Sequence, residues 1–123
     1  MWGIGLDWCK AMKMIKCFIK YEKLEAVREK LFELGVPGLS VVDVKGIGKP
    51  MGQMKSDSGS KVPQFHPCVE ISIVLEAEAV KEVIDTLAKE IHTGNLGDGK
   101  IFVLPVEDAV RVRTGERGKQ ALY

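Results

Sequence analysis

The sequence predicts an α+β fold with the element order βαββαβ, in which two helices cover one face of an antiparallel sheet. Apolar residues alternate with polar ones in residues 15–21 and 69–75, which is typical of strands with one buried face. Apolar residues recur at helical spacing in residues 24–34 and 80–91, which predicts two amphipathic helices. Because each helix lies between two strands, the two βαβ halves together predict a two-layer sandwich.

The first half of the chain is predicted to form a strand, a helix and a second strand. The buried face of the first strand is predicted to consist of Ile15, Cys17, Ile19 and Tyr21. The helix is marked by Leu24, Val27, Leu31 and Leu34. Gly35 follows where a helix C-cap favours a left-handed residue. Residues 39–46 are rich in valine and lie between glycine-containing turns, which predicts the second strand.

The second half repeats this order after a long polar segment. Residues 49–67 lose all periodicity and contain many Gly, Ser, Lys and Pro residues, which predicts a functional loop. The third strand is predicted from Val69, Ile71, Ile73 and Leu75, and the second helix from Val80, Val83, Ile84, Leu87 and Ile91. This helix is expected to close near Gly94, and residues 101–104 form the fourth strand. The plan is ferredoxin-like, and its second sheet face needs a cover.

Composition places the chain among small globular proteins. Its 123 residues are 46% hydrophobic and 28% charged, which is enough for one domain with a hydrophobic core. We place this domain at residues 12–123. Residues 1–11 are either an N-terminal extension or an artefact of start-site choice. With 18 basic against 17 acidic residues, the chain has no excess of positive charge that would favour binding to nucleic acid. No apolar run is long enough to predict membrane insertion. Three scattered cysteines and no recognisable signal peptide predict a reduced, cytoplasmic protein.

A glycine-rich turn at residues 93–100 carries the strongest functional signal. Glycines allow bare amide groups to approach a ligand, and Lys100 adds a compact positive charge, a combination suited to phosphate. The spacing from Gly94 to Lys100 matches a P-loop, but Ile101 replaces the Ser/Thr that holds magnesium. The order of elements is also reversed, from helix to strand. Phosphate is therefore expected to be held differently.

Two arginines follow this turn within a short distance. Arg111 and Arg113 are two residues apart in what reads as an extended strand, where period two would point both guanidinium groups to one face. Paired guanidiniums suit a polyphosphate, although a solvated basic edge strand would give the same pattern. Together with the glycine turn, the pair favours nucleotide binding.

These motifs resemble the PII nitrogen-regulatory signal-transducer family. The resemblance rests on residues 93–102 (TGNLGDGKIF) and 111–116 (RVRTGE), with residues 12–15 (MKMI) and 44–48 (VKGIG), and extends over residues 12–123. It implies a homotrimer of ferredoxin-like subunits that binds ATP or ADP in the clefts between neighbours. It also implies a regulator of partner proteins, such as nitrogen-metabolism enzymes or a membrane transporter, rather than an enzyme. AMP remains an open third ligand, no cofactor is expected to be tightly bound, and magnesium is left open.

The resemblance also assigns roles to individual residues. The phosphate-binding residues would be Gly97, Asp98, Gly99, Lys100, Arg111 and Arg113. Backbone amides of Gly46, Ile47 and Gly48 would meet the ligand, and Ser40 would lie near the adenine. Residues 49–67 correspond to the family's T-loop, the partner-binding arm, where Lys49, Lys55 and Lys61 are candidate contacts.

The loop departs from the family pattern at both of its ends. Pro50 stands where members that sense 2-oxoglutarate carry a glutamine that holds magnesium, and Cys68 replaces a lysine that meets the metabolite's carboxylate. The resemblance therefore leaves open a sensor of another input, such as bicarbonate, a metal or transport status. A nucleotide hydrolase is the enzymatic alternative, but the sequence offers no evident base for a water nucleophile. His66 and Cys68 are an isolated pair, and we assign no metal site to them.

Overall fold

The computed structural model describes residues 11–47 and 64–123 and confirms the ferredoxin-like fold. The strands are β1 (Met12–Ile19), β2 (Ser40–Gly46), β3 (His66–Glu76) and β4 (Lys100–Val106), and the helices are α1 (Leu24–Glu33) and α2 (Val80–Ile91). None of the described helices is both long and apolar enough to cross a membrane. Gly48, Pro50 and the predicted loop contacts Lys49, Lys55 and Lys61 lie outside the described residues.

The four strands form one antiparallel sheet in the order β2-β3-β1-β4. Ile15 of β1 lies opposite both Ile73 of β3 and Val103 of β4, and Val41 of β2 lies opposite Ile71 of β3. The two outer strands, β2 and β4, are therefore separated by the full width of the sheet. That separation decides where the predicted site residues can meet.

The core lies between the sheet and the two helices. Its buried members are Ile15, Cys17, Ile19, Val27, Leu31, Val69, Ile71, Ile73, Leu75, Val83, Leu87 and Ile91. Alternation in residues 14–19 of β1 and 68–76 of β3 supplies the sheet side, as the sequence predicts, because successive side chains of a strand point to opposite faces. Burial raises the pKa of the Cys17 thiol to about 11, which fits a neutral core residue.

Several boundaries differ from the sequence prediction. Tyr21 is 65% exposed in a short 3-10 turn, because β1 ends at Ile19 and the chain turns into α1. The third strand begins at His66 rather than Val69, since Gly46 and Lys45 extend the pairing to His66 and Pro67. The helix α2 ends at Ile91, three residues before Gly94, because the backbone of His92 is extended. The end of α1 is as predicted, with Gly35 at φ 72°.

The sheet face away from the helices is largely apolar. The side chains of this face include Met14, Phe18, Val42, Val74, Phe102 and Leu104. Phe18 and Phe102 make an edge-to-face contact with ring centroids 6.0 Å apart, and Phe102 remains 49% exposed. The charged pair Lys16 and Glu70 lies among these residues, with Nζ and Oε1 3.7 Å apart. An apolar face of this kind is typical of an interaction surface.

The C-terminal segment folds back towards the start of α2. Val110 pairs with Arg117 in an isolated bridge, and a 3-10 turn follows at Gly118–Ala121. Lys119 then places its Nζ 2.8 Å from Oε1 of Glu78 and 3.6 Å from Oε2 of Glu76. These ion pairs tie the end of the chain to the junction between β3 and α2.

Candidate functional site

The glycine-rich turn is closed by its own aspartate. Asp98 accepts hydrogen bonds from the backbone amides of Thr93 (2.7 Å) and Gly94 (2.9 Å) and from the Thr93 hydroxyl. The Thr93 hydroxyl also accepts a hydrogen bond from the Asn95 amide at 3.2 Å. The Asp98 carboxylate therefore shapes the turn from within. Its predicted place among the phosphate-binding residues stays a prediction.

The same contacts keep Asp98 ionised. The hydrogen bonds from the Thr93 hydroxyl and amide, with that from the Gly94 amide, lower the pKa of Asp98 from 3.8 to about 2, and the charge of Lys20 acts in the same direction. A carboxylate with so low a pKa is a weak base at neutral pH. Proton abstraction by Asp98 is therefore disfavoured.

Gly99 brings the turn against the neighbouring strand. It has φ 122°, and a Cβ at this position would lie 2.0 Å from the carbonyl oxygen of Phe18. Only glycine fits such a conformation and such a close approach. Gly97 also has positive φ, at 87°. Since Phe18 pairs with Lys100, this packing fixes the point at which β4 begins.

Lys100 is the cation that the turn presents. It is the first residue of β4, lies opposite Phe18 and is exposed. Within residues 11–47 and 64–123, no carboxylate lies within ion-pair distance of its ammonium group. The ammonium group is therefore available to an anion.

Residues 111–116 form a turn rather than the extended strand that the sequence predicts. The Arg111 amide donates to the Glu116 carbonyl at 2.9 Å, and the Gly115 amide donates to the Arg111 carbonyl at 2.7 Å. Gly115 has φ 76°, and the Thr114 hydroxyl accepts a hydrogen bond from the Glu116 amide at 3.3 Å. Such local bonds to Thr and a positive φ at Gly favour a turn over a ladder. The period-two argument for a shared arginine face was therefore wrong.

The two arginines consequently have different surroundings. Arg111 donates from Nη1 to Glu116 Oε1 at 2.9 Å and from Nη2 to the Gln120 carbonyl at 3.2 Å, and its side chain is 25% exposed. Arg113 is exposed, and the described part of the chain gives its guanidinium group no hydrogen bond or ion pair. Arg111 thus stabilises the C-terminal segment, whereas Arg113 faces solvent.

A second group of predicted site residues lies on the opposite edge of the sheet. Ser40 opens β2 opposite Ser72, and Gly46 closes it opposite His66. A Cβ on Gly46 would lie 3.3 Å from the Cys68 sulfur, so the backbone passes close to that thiol. Ile47 follows and is 44% exposed. The strand β2 thus ends three residues before the predicted loop at residues 49–67.

The width of the sheet keeps these two groups apart within one subunit. Val42, Glu70, Phe18 and Lys100 form one row across the four strands. Three strand spacings separate its ends, about 14 Å. Gly46 lies four residues further along β2 than Val42, so its distance from Lys100 is about 19 Å by strand geometry. One phosphate group cannot contact both within a single chain.

The sequence reasoning gave no structural role to Thr93, Glu116 or Lys119. Thr93 and Asp98 are five residues apart around a turn, and Thr114, Gly115 and Glu116 are consecutive, so both were visible as turn-forming patterns. The partners of Lys119 lie about forty residues away and gave no local signal. Among the described residues, no cluster of three or more His, Cys, Asp or Glu could hold a metal ion.

Together, the fold and the glycine turn define a small ferredoxin-like protein in which the outer strand β4 begins with an exposed lysine. A family profile described as "Nitrogen regulatory protein P-II" matches residues 12–116. The nitrogen regulatory protein P-II of Azospirillum brasilense is 44% identical over 112 residues, which are 90% of this chain and 100% of that protein. The nitrogen regulatory protein GlnK of Escherichia coli K12 is 41% identical over 112 residues, with the same coverage of 90% and 100%.

Solved structures agree with these matches. PII of Arabidopsis thaliana bound to citrate aligns with a TM-score of 0.74 at 35% identity, over 90% of this chain and 92% of that one. The GlnK–ATP complex of B. subtilis aligns with a TM-score of 0.75 at 28% identity, over 91% and 98%. The chain therefore belongs to the nitrogen regulatory protein P-II family, a family of signal-transduction proteins.

Proposed function

We propose that this chain is a nitrogen-regulatory signal transducer that binds ATP or ADP between the subunits of a homotrimer. It would regulate partner proteins through residues 49–67. The observation that carries this proposal is the placement of Gly46 and Lys100 on opposite edges of one sheet, about 19 Å apart by strand geometry. A phosphate site that uses both edges requires the β2 edge of one subunit and the β4 edge of another.

The chemistry of the two edges is complementary. The end of β2 offers backbone amides around Gly46 and Ile47, while the start of β4 offers Lys100 and, further along the chain, Arg113. Amide groups and cations together stabilise polyphosphate better than either does alone. The B. subtilis relative was solved as an ATP complex, which supports adenine nucleotide as the ligand here.

The apolar sheet face supports a closed assembly. Val42, at 52% exposure, and Phe102, at 49%, lie on the face that the helices leave open. Packing this face against copies of itself around an axis would bury it and place β2 and β4 edges side by side. Sedimentation at micromolar concentration is expected to give a trimer of the 13.6 kDa chain. A monomer or a dimer would contradict this assembly.

The site favours sensing over catalysis. Asp98, the carboxylate nearest in sequence to Lys100, is held by Thr93 and Gly94 with a pKa of about 2, and it is therefore poorly suited to activate water. ATP and ADP would instead compete for the cleft and bias the 49–67 loop between states. The free energy available to shift the loop is set by the difference in each nucleotide's affinity for the protein in the two loop states. A sensitive phosphate-release assay is expected to show no turnover above background.

We further propose that 2-oxoglutarate is not sensed by the family's usual route. Cys68 lies in β3 beside Gly46, and desolvation raises the pKa of its thiol. A neutral thiol gives a carboxylate much less stabilisation than an ammonium group does. Titration of 2-oxoglutarate into protein saturated with MgATP is expected to give no heat. Micromolar affinity would contradict this proposal and leave the nucleotide site intact.

Calorimetric titration with ATP and with ADP tests the central proposal. Saturable binding of at least one nucleotide is expected, with three sites per trimer if every cleft is equivalent. A wild-type protein that is folded and trimeric but indifferent to both nucleotides would refute it. Binding to a monomeric protein would instead refute the intersubunit cleft.

A further inference from the structure

The sheet face away from the helices has a charged pair at its centre. Lys16 lies in β1 and Glu70 in β3, the two central strands, with Nζ and Oε1 3.7 Å apart. Their side chains are 37% and 19% exposed, so both are already partly withdrawn from solvent. Lys16 lies opposite Phe102 of β4. Because Glu70 lies opposite Val42 of β2, apolar residues of both outer strands flank the pair.

The two charges are close to each other but are not joined by a hydrogen bond. A separation of 3.7 Å is longer than a hydrogen bond and still short enough for attraction. The ammonium group therefore keeps its donors, and the carboxylate keeps its acceptors, for other partners. Water can satisfy them while the face is exposed. When the face is buried, the surface that covers it has to supply those partners, because a buried charge without them is costly.

A second copy of this chain meets that requirement. The apolar residues around the pair, such as Val42 at 52% exposure and Phe102 at 49%, give a packing copy apolar area to bury. The pair itself carries one positive and one negative charge, so the face is complementary to itself in charge. Any copy that covers the face brings both a carboxylate and an ammonium group. A purely apolar partner would bring neither.

We propose that the Lys16–Glu70 pair selects copies of this chain as the partners of this sheet face, and that it excludes chains whose faces are apolar or carry one sign of charge. This inference rests on the assembly proposed above and adds the residues that decide which chains assemble. A buried ion pair contributes little net stability, because desolvation offsets the attraction, but a partner that leaves one charge uncompensated is strongly disfavoured. Such a cost against wrong partners produces specificity.

Sedimentation of charge-reversed variants tests the pair. Lys16→Glu makes both groups acidic, and Glu70→Lys makes both basic. Each variant alone is expected to dissociate to the 13.6 kDa chain at concentrations at least about a hundredfold higher than wild type does, the scale of breaking a buried ion pair. Lys89→Glu and Glu82→Lys make the same changes in net charge at exposed positions of α2, and both are expected to assemble like wild type.

Two combinations separate the role of the pair from a folding defect. The swapped variant Lys16→Glu/Glu70→Lys carries both charges in exchanged positions, and it is expected to assemble like wild type. When the two single variants are mixed in equal amounts, they are expected to form mixed oligomers, because each chain supplies the charge that the other lacks. Native mass spectrometry counts the two chains in each oligomer.

A neutral variant measures the selectivity directly. Lys16→Met/Glu70→Gln removes both charges at similar side-chain length, and it is expected to assemble with itself, since replacing both members of a buried pair is often neutral or stabilising. Mixed with wild type, it is expected to enter wild-type oligomers less often than random mixing would give. Native mass spectrometry measures this share as well.

Four results would overturn the proposal. They are single reversals that assemble at wild-type concentrations, equal loss of assembly in the α2 controls, a swapped variant that does not assemble, and random mixing of the neutral variant with wild type. A monomeric wild type would refute the proposed assembly together with this inference. A trimeric wild type with unaffected variants would refute this inference alone.

Discussion

The two glycine-containing turns of this protein use a carboxylate in different ways. In residues 93–100, Asp98 accepts bonds from the neutral donors of Thr93 and Gly94, and the neighbouring Lys100 keeps an unpaired ammonium group among the described residues. In residues 111–116, Glu116 accepts from the charged Arg111. The first carboxylate shapes its turn through neutral donors and leaves Lys100 unpaired among the described residues, whereas the second pairs with an arginine.

This difference predicts different responses to an anion. The first turn is preorganised, because its internal hydrogen bonds come from neutral donors and leave Lys100 unpaired among the described residues. In the second turn, Glu116 already pairs with Arg111, so an anion should be attracted there less strongly than at Lys100. Of these two cations, Lys100 is therefore the better anchor for an anion.

The largest expected effect is at Gly99, where the rigid turn meets β1. Gly99→Ala would place a methyl group 2.0 Å from the Phe18 carbonyl oxygen at φ 122°. We expect a loss of about 3 kcal/mol or more in the free energy of unfolding, because both strain and overlap act there. Urea denaturation measures it.

Gly94→Ala is the matched control for Gly99→Ala. Gly94 has φ 85°, but a Cβ there would meet nothing within 4 Å, so only the backbone cost of about 1–2 kcal/mol is expected. Equal losses in the two variants would show that the contact with Phe18 does not constrain the turn.

The next effect is on ligand affinity at Lys100. Lys100→Ala is expected to weaken ATP binding by about 1.5–3 kcal/mol, the scale of a hydrogen bond to a charged group, and to leave the unfolding midpoint nearly unchanged because Lys100 is exposed. Calorimetry and urea denaturation measure the two quantities. Lys89→Ala on the exposed face of α2 is the control for loss of a positive charge. Unaltered affinity in Lys100→Ala would move the phosphate site away from this turn.

The smallest effect is the pH dependence that Asp98 contributes. Its folded pKa of about 2 lies below the ordinary value of 3.8, so its stabilising contribution is present above pH 3.8 and is lost as the pH falls towards 2. Asp98→Asn is therefore expected to be less stable than wild type at pH 7, with a difference that shrinks between pH 4 and pH 2. Urea midpoints across this range measure the difference. A gap that stays constant with pH would mean that the charge of Asp98 is not what stabilises the turn.

Local pattern was sufficient for most of the fold. Alternation in β1 and β3 and helical spacing in α1 and α2 predicted the core, because the period of the apolar residues fixes which side of an element is buried. The glycine turn was also predictable, since positive φ at Gly97 and Gly99 follows from local backbone sterics. The end of β1 before Tyr21 and the start of β3 at His66 were not predictable in this way, because pairing with neighbouring strands decides where a strand begins and ends.

The sequence by itself determined the order of elements, the two-layer plan, the glycine turn and the family, because each depends on residues close together in the chain. The turn at residues 111–116 is local as well, since its backbone hydrogen bonds join residues four and five apart, but the period-two interpretation overlooked the turn signal of Thr114 and Gly115. Tertiary structure decided that Lys119 pairs with Glu78 and that Gly46 and Lys100 lie on opposite sheet edges. Strand order and ion pairs between distant residues depend on how the elements pack, which local periodicity does not encode.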